Sequence, residues 1–117
     1  MFGRKPKNPL DLSNKVGNQR SLPHIVRFGL ANDRTTPLVL QLEPWAYDYT
    51  AAPGQRLELV IASAVPDTWL NVVENADGTV QVYIEGEGPQ VGLAWDVFLE
   101  GERIEIGHNR DLWARPS

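Results

Sequence analysis

The sequence predicts an all-β protein: a single antiparallel β-sandwich of about seven strands behind a flexible N-terminal arm. Three observations predict it. Apolar residues recur at every second position in a series of short runs, turn signals separate those runs, and no stretch carries a helical apolar stripe. A small β-barrel is the alternative closure of the same pattern. At 117 residues the chain suits one domain with one core. Two stacked sheets bury both inner faces, whereas one open sheet leaves Leu38, Leu40 and Leu42 in water at about 1.5–3 kcal/mol each.

Residues 1–21 are rich in Asn, Lys, Gly and Pro, and their few apolar residues are scattered, so they read as a flexible basic arm. The first strand is Pro23–Leu30, with His24, Val26, Phe28 and Leu30 on one parity. The polar run Ala31–Thr35 turns the chain. Pro37–Glu43 follows, with Leu38, Leu40 and Leu42 alternating against Val39 and Gln41. Pro44 stops it, because proline cannot donate to a ladder.

Trp45, Tyr47 and Tyr49 then share a parity, with Asp48 opposite. Ala51–Gly54 is a proline–glycine turn. Gln55–Ala62 is the next strand, with Leu57, Leu59 and Ile61 inward; Val60 on its other face suggests a central position. Thr68–Glu74 and Thr79–Glu85 form a hairpin around Asn75-Ala76-Asp77-Gly78. After the loop Gly86–Gln90, the segments Val91–Leu99 and Arg103–Ile106 form a second hairpin around Glu100-Gly101. The expected organisation is an arm over 1–21, a sandwich domain over 22–107 and a tail over 108–117 that holds the isolated Trp113.

The run Leu42-Glu43-Pro44-Trp45, followed by Tyr49-Thr50 and Pro53-Gly54 before an apolar strand, resembles a pattern in small bacterial β-proteins that have no established activity. The resemblance spans about residues 36–106. It implies a compact β-domain and nothing catalytic. In that pattern a glycine follows the tryptophan, where this chain has Ala46.

The chain has no cysteine, which removes disulfides, catalytic thiols and thiolate metal sites together. It has no apolar run of membrane-spanning length and no secretory signal, so a cytoplasmic location is expected. The net charge is −4. Residues 1–20 carry five basic side chains and one acidic, while residues 21–117 carry six basic and fourteen acidic. A basic arm thus precedes an acidic body, which disfavours nucleic acid and suits a protein partner or a second copy of the chain.

No catalytic residue is identified. Ser13, Ser21, Ser63 and Ser117 lie outside any Gly-x-Ser-x-Gly elbow. Gly86-Glu87-Gly88-Pro89 has acidic neighbours and a proline that withholds an amide, so it is no phosphate loop. His24 and His108 are the only imidazoles and lack close metal-ligand spacing, so no metal or cofactor is expected. Glu100, Glu102 and Glu105 read as a solvated face. Trp69 and Trp95 sit within strands and read as core or sheet-face packing.

The binding candidates are therefore Trp45, Tyr47 and Tyr49 as an aromatic platform, Trp113 as a docking residue, and Arg4, Lys5 and Lys7 as contacts made by the arm. The expected function is a non-catalytic binding or assembly module, for protein–protein contact or homo-oligomerisation. The alternative is a carbohydrate-binding module that uses the aromatic platform.

Overall fold

Period-two burial decides the architecture. The computed structural model of the chain describes residues 12–17 and 21–114, which carry nine strands in two sheets and two short helical turns. Sheet A joins β1 (Asn14–Gly17), β8 (Gly92–Leu99), β5 (Arg56–Ser63) and β2 (His24–Ala31) in that order, with β9 (Glu102–Ile104) beside β1 on the same edge of β8. Sheet B runs β4 (Tyr47–Ala51), β3 (Leu38–Glu43), β7 (Thr79–Gly86) and β6 (Thr68–Glu74). The sheets remain separate, so the molecule is a sandwich and not a barrel.

The core lies between the two inner faces. Leu38, Leu40 and Leu42 of β3 and Val80, Val82 and Ile84 of β7 meet Leu57, Leu59 and Ile61 of β5 and Leu93, Trp95 and Val97 of β8. Each fully buried aliphatic side chain here stabilises by about 1.5–3 kcal/mol. β8 is buried on both faces. Its outer residues Ala94 and Phe98, with Val60 and Ala62 of β5, form a second cluster under Leu12 and Leu22.

That second cluster corrects the extent of the arm. Residues 12–17 belong to the body: Leu12 is buried, and Asn14–Gly17 pairs along β8. Beneath this segment lies Asp96, 1% exposed, whose carboxylate accepts the Ser13 amide at 2.7 Å and the Asn14 side-chain amide at 3.2 Å. Arg103 closes the pair at 2.9 Å, its guanidinium also standing over the Phe98 ring at 5.8 Å. Burial raises the Asp96 carboxyl, with the Ser13 amide and Arg103 pulling the other way.

Three further features depart from the expectation. β3 and β7 pair in parallel, from Val39 opposite Thr79 to Glu43 opposite Tyr83. The cause is connectivity: β4 takes one side of β3 as a hairpin, the chain crosses to sheet A as β5, and the returning β6/β7 hairpin fills the other side. Second, Pro44 ends β3 at Glu43 as expected, but the chain reverses at Pro44–Ala46 and returns as β4, with Tyr47 opposite Leu42. Third, the expected loop after β7 holds the helical turn α1 (Gly88–Val91), and the tail holds α2 (Asp111–Ala114).

The two turns read from glycine hold. Gly78, at φ 94°, closes the β6/β7 hairpin, its amide donating to the Asn75 carbonyl. Glu100 and Gly101, both with positive φ, make the two-residue turn between β8 and β9.

Candidate interaction surface

The aromatic group predicted as a platform faces the core. Tyr47 and Tyr49 share a face of β4 with Asp48 opposite, and that face points between the sheets. Tyr49 is 0% exposed. Trp45, half-buried at the β3/β4 turn, stacks on Trp95 with centroids 4.8 Å apart, and Tyr47 stands 6.1 Å from both rings. The three rings pack on one another at one end of the core, Trp45 and Tyr47 each partly exposed.

Tyr49 also has no acid–base use at this place. Burial pushes its hydroxyl up to about 12, with the Trp95 side chain partly offsetting the effect, so the phenol stays protonated at neutral pH. Neither the Tyr49 hydroxyl nor the Trp95 indole N–H makes a hydrogen bond of ordinary geometry.

Other predicted site residues fall apart in space or outside the described residues. Arg4, Lys5, Lys7 and the side chain of Trp113 lie outside them. His24 sits on β2, the far edge of sheet A, whereas His108 sits beside β4, the edge of sheet B, where its carbonyl accepts the Thr50 amide. Among the described residues no three His, Asp or Glu side chains converge as metal ligands. No helix among them is long and apolar enough to cross a membrane.

Two clefts among the described residues open on sheet B. The larger, about 320 Å3, is lined by Glu43, Pro44, Tyr83, Ile84, Glu85, Gly86, Pro89 and Gln90. Its two carboxylates are each engaged by an amide side chain, Glu43 by Gln81 at 3.0 Å and Glu85 by Asn71 at 3.3 Å. The smaller, about 240 Å3, lies where the end of β2 faces the end of β6, between Leu30, Leu38, Val72 and Val80.

The exposed apolar surface concentrates on β6. Trp69 is 51% exposed, Val72 41% and Val73 38%, all on one seven-residue strand. Trp69 was expected in the core or packed on a sheet face; it stands instead on the outer face of sheet B, opposite Glu85 and near Tyr83. The signal was present in the hairpin. Trp69, Asn71 and Val73 share the parity that pairs with Glu85, Tyr83 and Gln81, and so large a polar share marks a wet face.

The four lateral edges of the sandwich differ in how they are shielded. On one side of sheet A, β1 and β9 are four and three residues long. On the other, β2 carries a charge in mid-strand, Arg27, which reaches Glu58 of β5 at 4.0 Å. The edge of β4 is capped by the following chain: the Gly107 amide donates to the Asp48 carbonyl at 2.7 Å and the Thr50 amide to His108 at 3.1 Å. Arg110 then grips Asp48 bidentately, Nε to Oδ2 at 3.0 Å and Nη2 to Oδ1 at 2.6 Å. Among the described residues β6 has none of these devices. It holds no lysine or proline, its pairing with β7 has no bulge, and its one charge, Glu74, stands at its last residue, paired with Arg34.

Comparison with protein-family models, with curated proteins and with solved structures finds no match.

Proposed function

We propose that this chain is a non-catalytic binding module that contacts protein through the free edge of its four-stranded sheet. The observation that carries the reading is the unshielded strand β6, with Trp69, Val72 and Val73 exposed beside an unpaired backbone edge. Such an edge offers amide donors and carbonyl acceptors to an incoming strand, and its apolar side chains supply the burial that makes pairing favourable. Association by strand addition requires no assembled reactive group. A reducing, cytoplasmic setting suits a chain without cysteine and belongs to the same proposal.

The test compares the wild-type chain with Val72→Lys, a charge placed on the edge, in light scattering and in pull-downs. Association that the lysine abolishes supports the reading. Wild-type protein that stays monomeric and captures nothing, or association indifferent to Val72→Lys, overturns it.

One observation favours the carbohydrate reading as a rival, on a different surface from the platform first expected. Trp69 and Tyr83 are diagonal neighbours on the outer face of sheet B, with Asn71 and Gln81 between and beside them. An apolar plane next to amides matches a neutral sugar, and the acidic body turns away anionic polymers. A fluorescence titration with neutral glycans separates the two readings: quenching of Trp69 that Trp69→Ala removes supports the sugar, and a flat response across a broad panel removes it.

A further inference from the structure

We infer that the occupant of the β6 edge is β6 of a second copy, running antiparallel about a two-fold axis at Asn71. This inference rests on the protein-binding reading above and adds the partner and the register. It joins two four-stranded sheets into one continuous sheet of eight.

The backbone permits it. The Asn75 amide donates to the Thr79 carbonyl at the mouth of the hairpin, in register with Glu74 opposite Val80. Antiparallel ladders alternate, so the amides and carbonyls of Leu70, Val72 and Glu74 and the carbonyl of Thr68 point away from β7 into the free edge, while the Thr68 amide donates to the Pro66 carbonyl at 2.9 Å. With the axis at Asn71, Leu70 of one copy meets Val72 of the other with amides and carbonyls facing, and Thr68 meets Glu74 with its carbonyl facing the Glu74 amide.

The side chains select that register. Trp69 falls opposite Val73 of the second copy, twice by symmetry, on the outer face. Val72 falls opposite Leu70 on the inner face, over the cleft lined by Leu38 and Val80. Every exposed apolar residue of the strand thus meets another apolar residue. Moving the axis to Leu70 sets Trp69 against Asn71, and moving it to Val72 sets Val73 against Asn71. Charge agrees as well: Glu74 lies opposite Thr68, so the acidic bodies approach without a like-charge pair across the ladder.

Asn71 would meet its own symmetry mate in a non-hydrogen-bonded pair, where Cα atoms approach to about 4.5 Å, within disulfide reach. The chain has no native cysteine, so Asn71→Cys introduces a single thiol. In a glutathione redox buffer, Asn71→Cys is expected to form a covalent dimer at least about tenfold faster than Glu74→Cys, whose thiol lies three residues from the axis in each copy. Equal, slow cross-linking of the two folded variants overturns the inference. If it does so while Val72→Lys still abolishes capture of another protein, the strand-binding reading survives and only the second copy is rejected. Should Asn71→Cys fail to fold by circular dichroism, light scattering decides. A wild-type dimer that Val72→Lys splits supports self-pairing, and a wild-type monomer at millimolar concentration overturns it.

Discussion

Trp45 lies almost flat on Trp95, the ring centroids 4.8 Å apart and the planes 7° from parallel. One ring belongs to the turn between β3 and β4 in sheet B, the other to β8 in sheet A, so the stack ties the two layers together at one end of the core. Removing the Trp45 ring exposes a face of Trp95 and leaves a void beside Tyr47. Trp45→Ala is expected to cost about 2–4 kcal/mol in urea denaturation and to weaken the near-ultraviolet dichroism of the aromatic cluster. A loss well below 1 kcal/mol would show that the stack does not hold the sheets.

The residue after Trp45 is strained in a way a substitution can relieve. Ala46 has φ 62°, the left-handed region where a Cβ costs about 1–2 kcal/mol. Glycine removes that cost but adds about 0.5–1 kcal/mol of unfolded-state freedom. Ala46→Gly should therefore raise stability by about 0.5 kcal/mol, read as a shift of the urea midpoint with an unchanged slope. Destabilisation of similar size would contradict the assignment.

Asp96 gives a pH signature. Burial raises its folded-state pKa above the unfolded value near 4. The native state therefore takes up its proton more readily than the unfolded chain does. Its contribution to stability is fully present below the unfolded value and is lost as pH rises through the raised one. Wild type should gain stability relative to Asp96→Asn as pH falls from 7 into the carboxylate range, followed by urea melts at matched salt. A difference that moves the opposite way would mean that the Ser13 amide and Arg103 outweigh burial.

Arg110 holds the chain against the edge of β4 through Asp48. Arg110→Ala should free that segment, and the amide of Thr50, which donates to His108, is the local reporter. Its hydrogen exchange is expected to accelerate while core amides of β5 are unchanged. Exchange at Thr50 that ignores the substitution would show that the cap stands without the ion pair.

Most of the strands were legible because parity along a half-buried strand reflects one physical fact, that alternate side chains face water. β3, β5 and β7 carry that pattern plainly, and Asn75–Gly78 and Glu100-Gly101 carry the turn chemistry between their neighbours. β1 was not legible, since Asn14–Gly17 offers a single apolar residue, Val16, and owes its place to the edge of β8. β4 was hidden because proline both ends strands and opens turns, and Pro44 does both at once. Parity also assigns faces without naming which strand lies at the rim of a sheet. The aromatic signal was therefore read at Trp45, Tyr47 and Tyr49, which the fold packs on the core, and passed over at Trp69, which it exposes.

Backbone amide exchange along β6, followed as protein concentration rises, tests the central claim most directly. Protection at Leu70, Val72 and Glu74 is expected to grow with concentration, while the amides of β2, the edge of sheet A with a charge in mid-strand, stay constant. Exchange at those β6 amides that is fast and independent of concentration would contradict it.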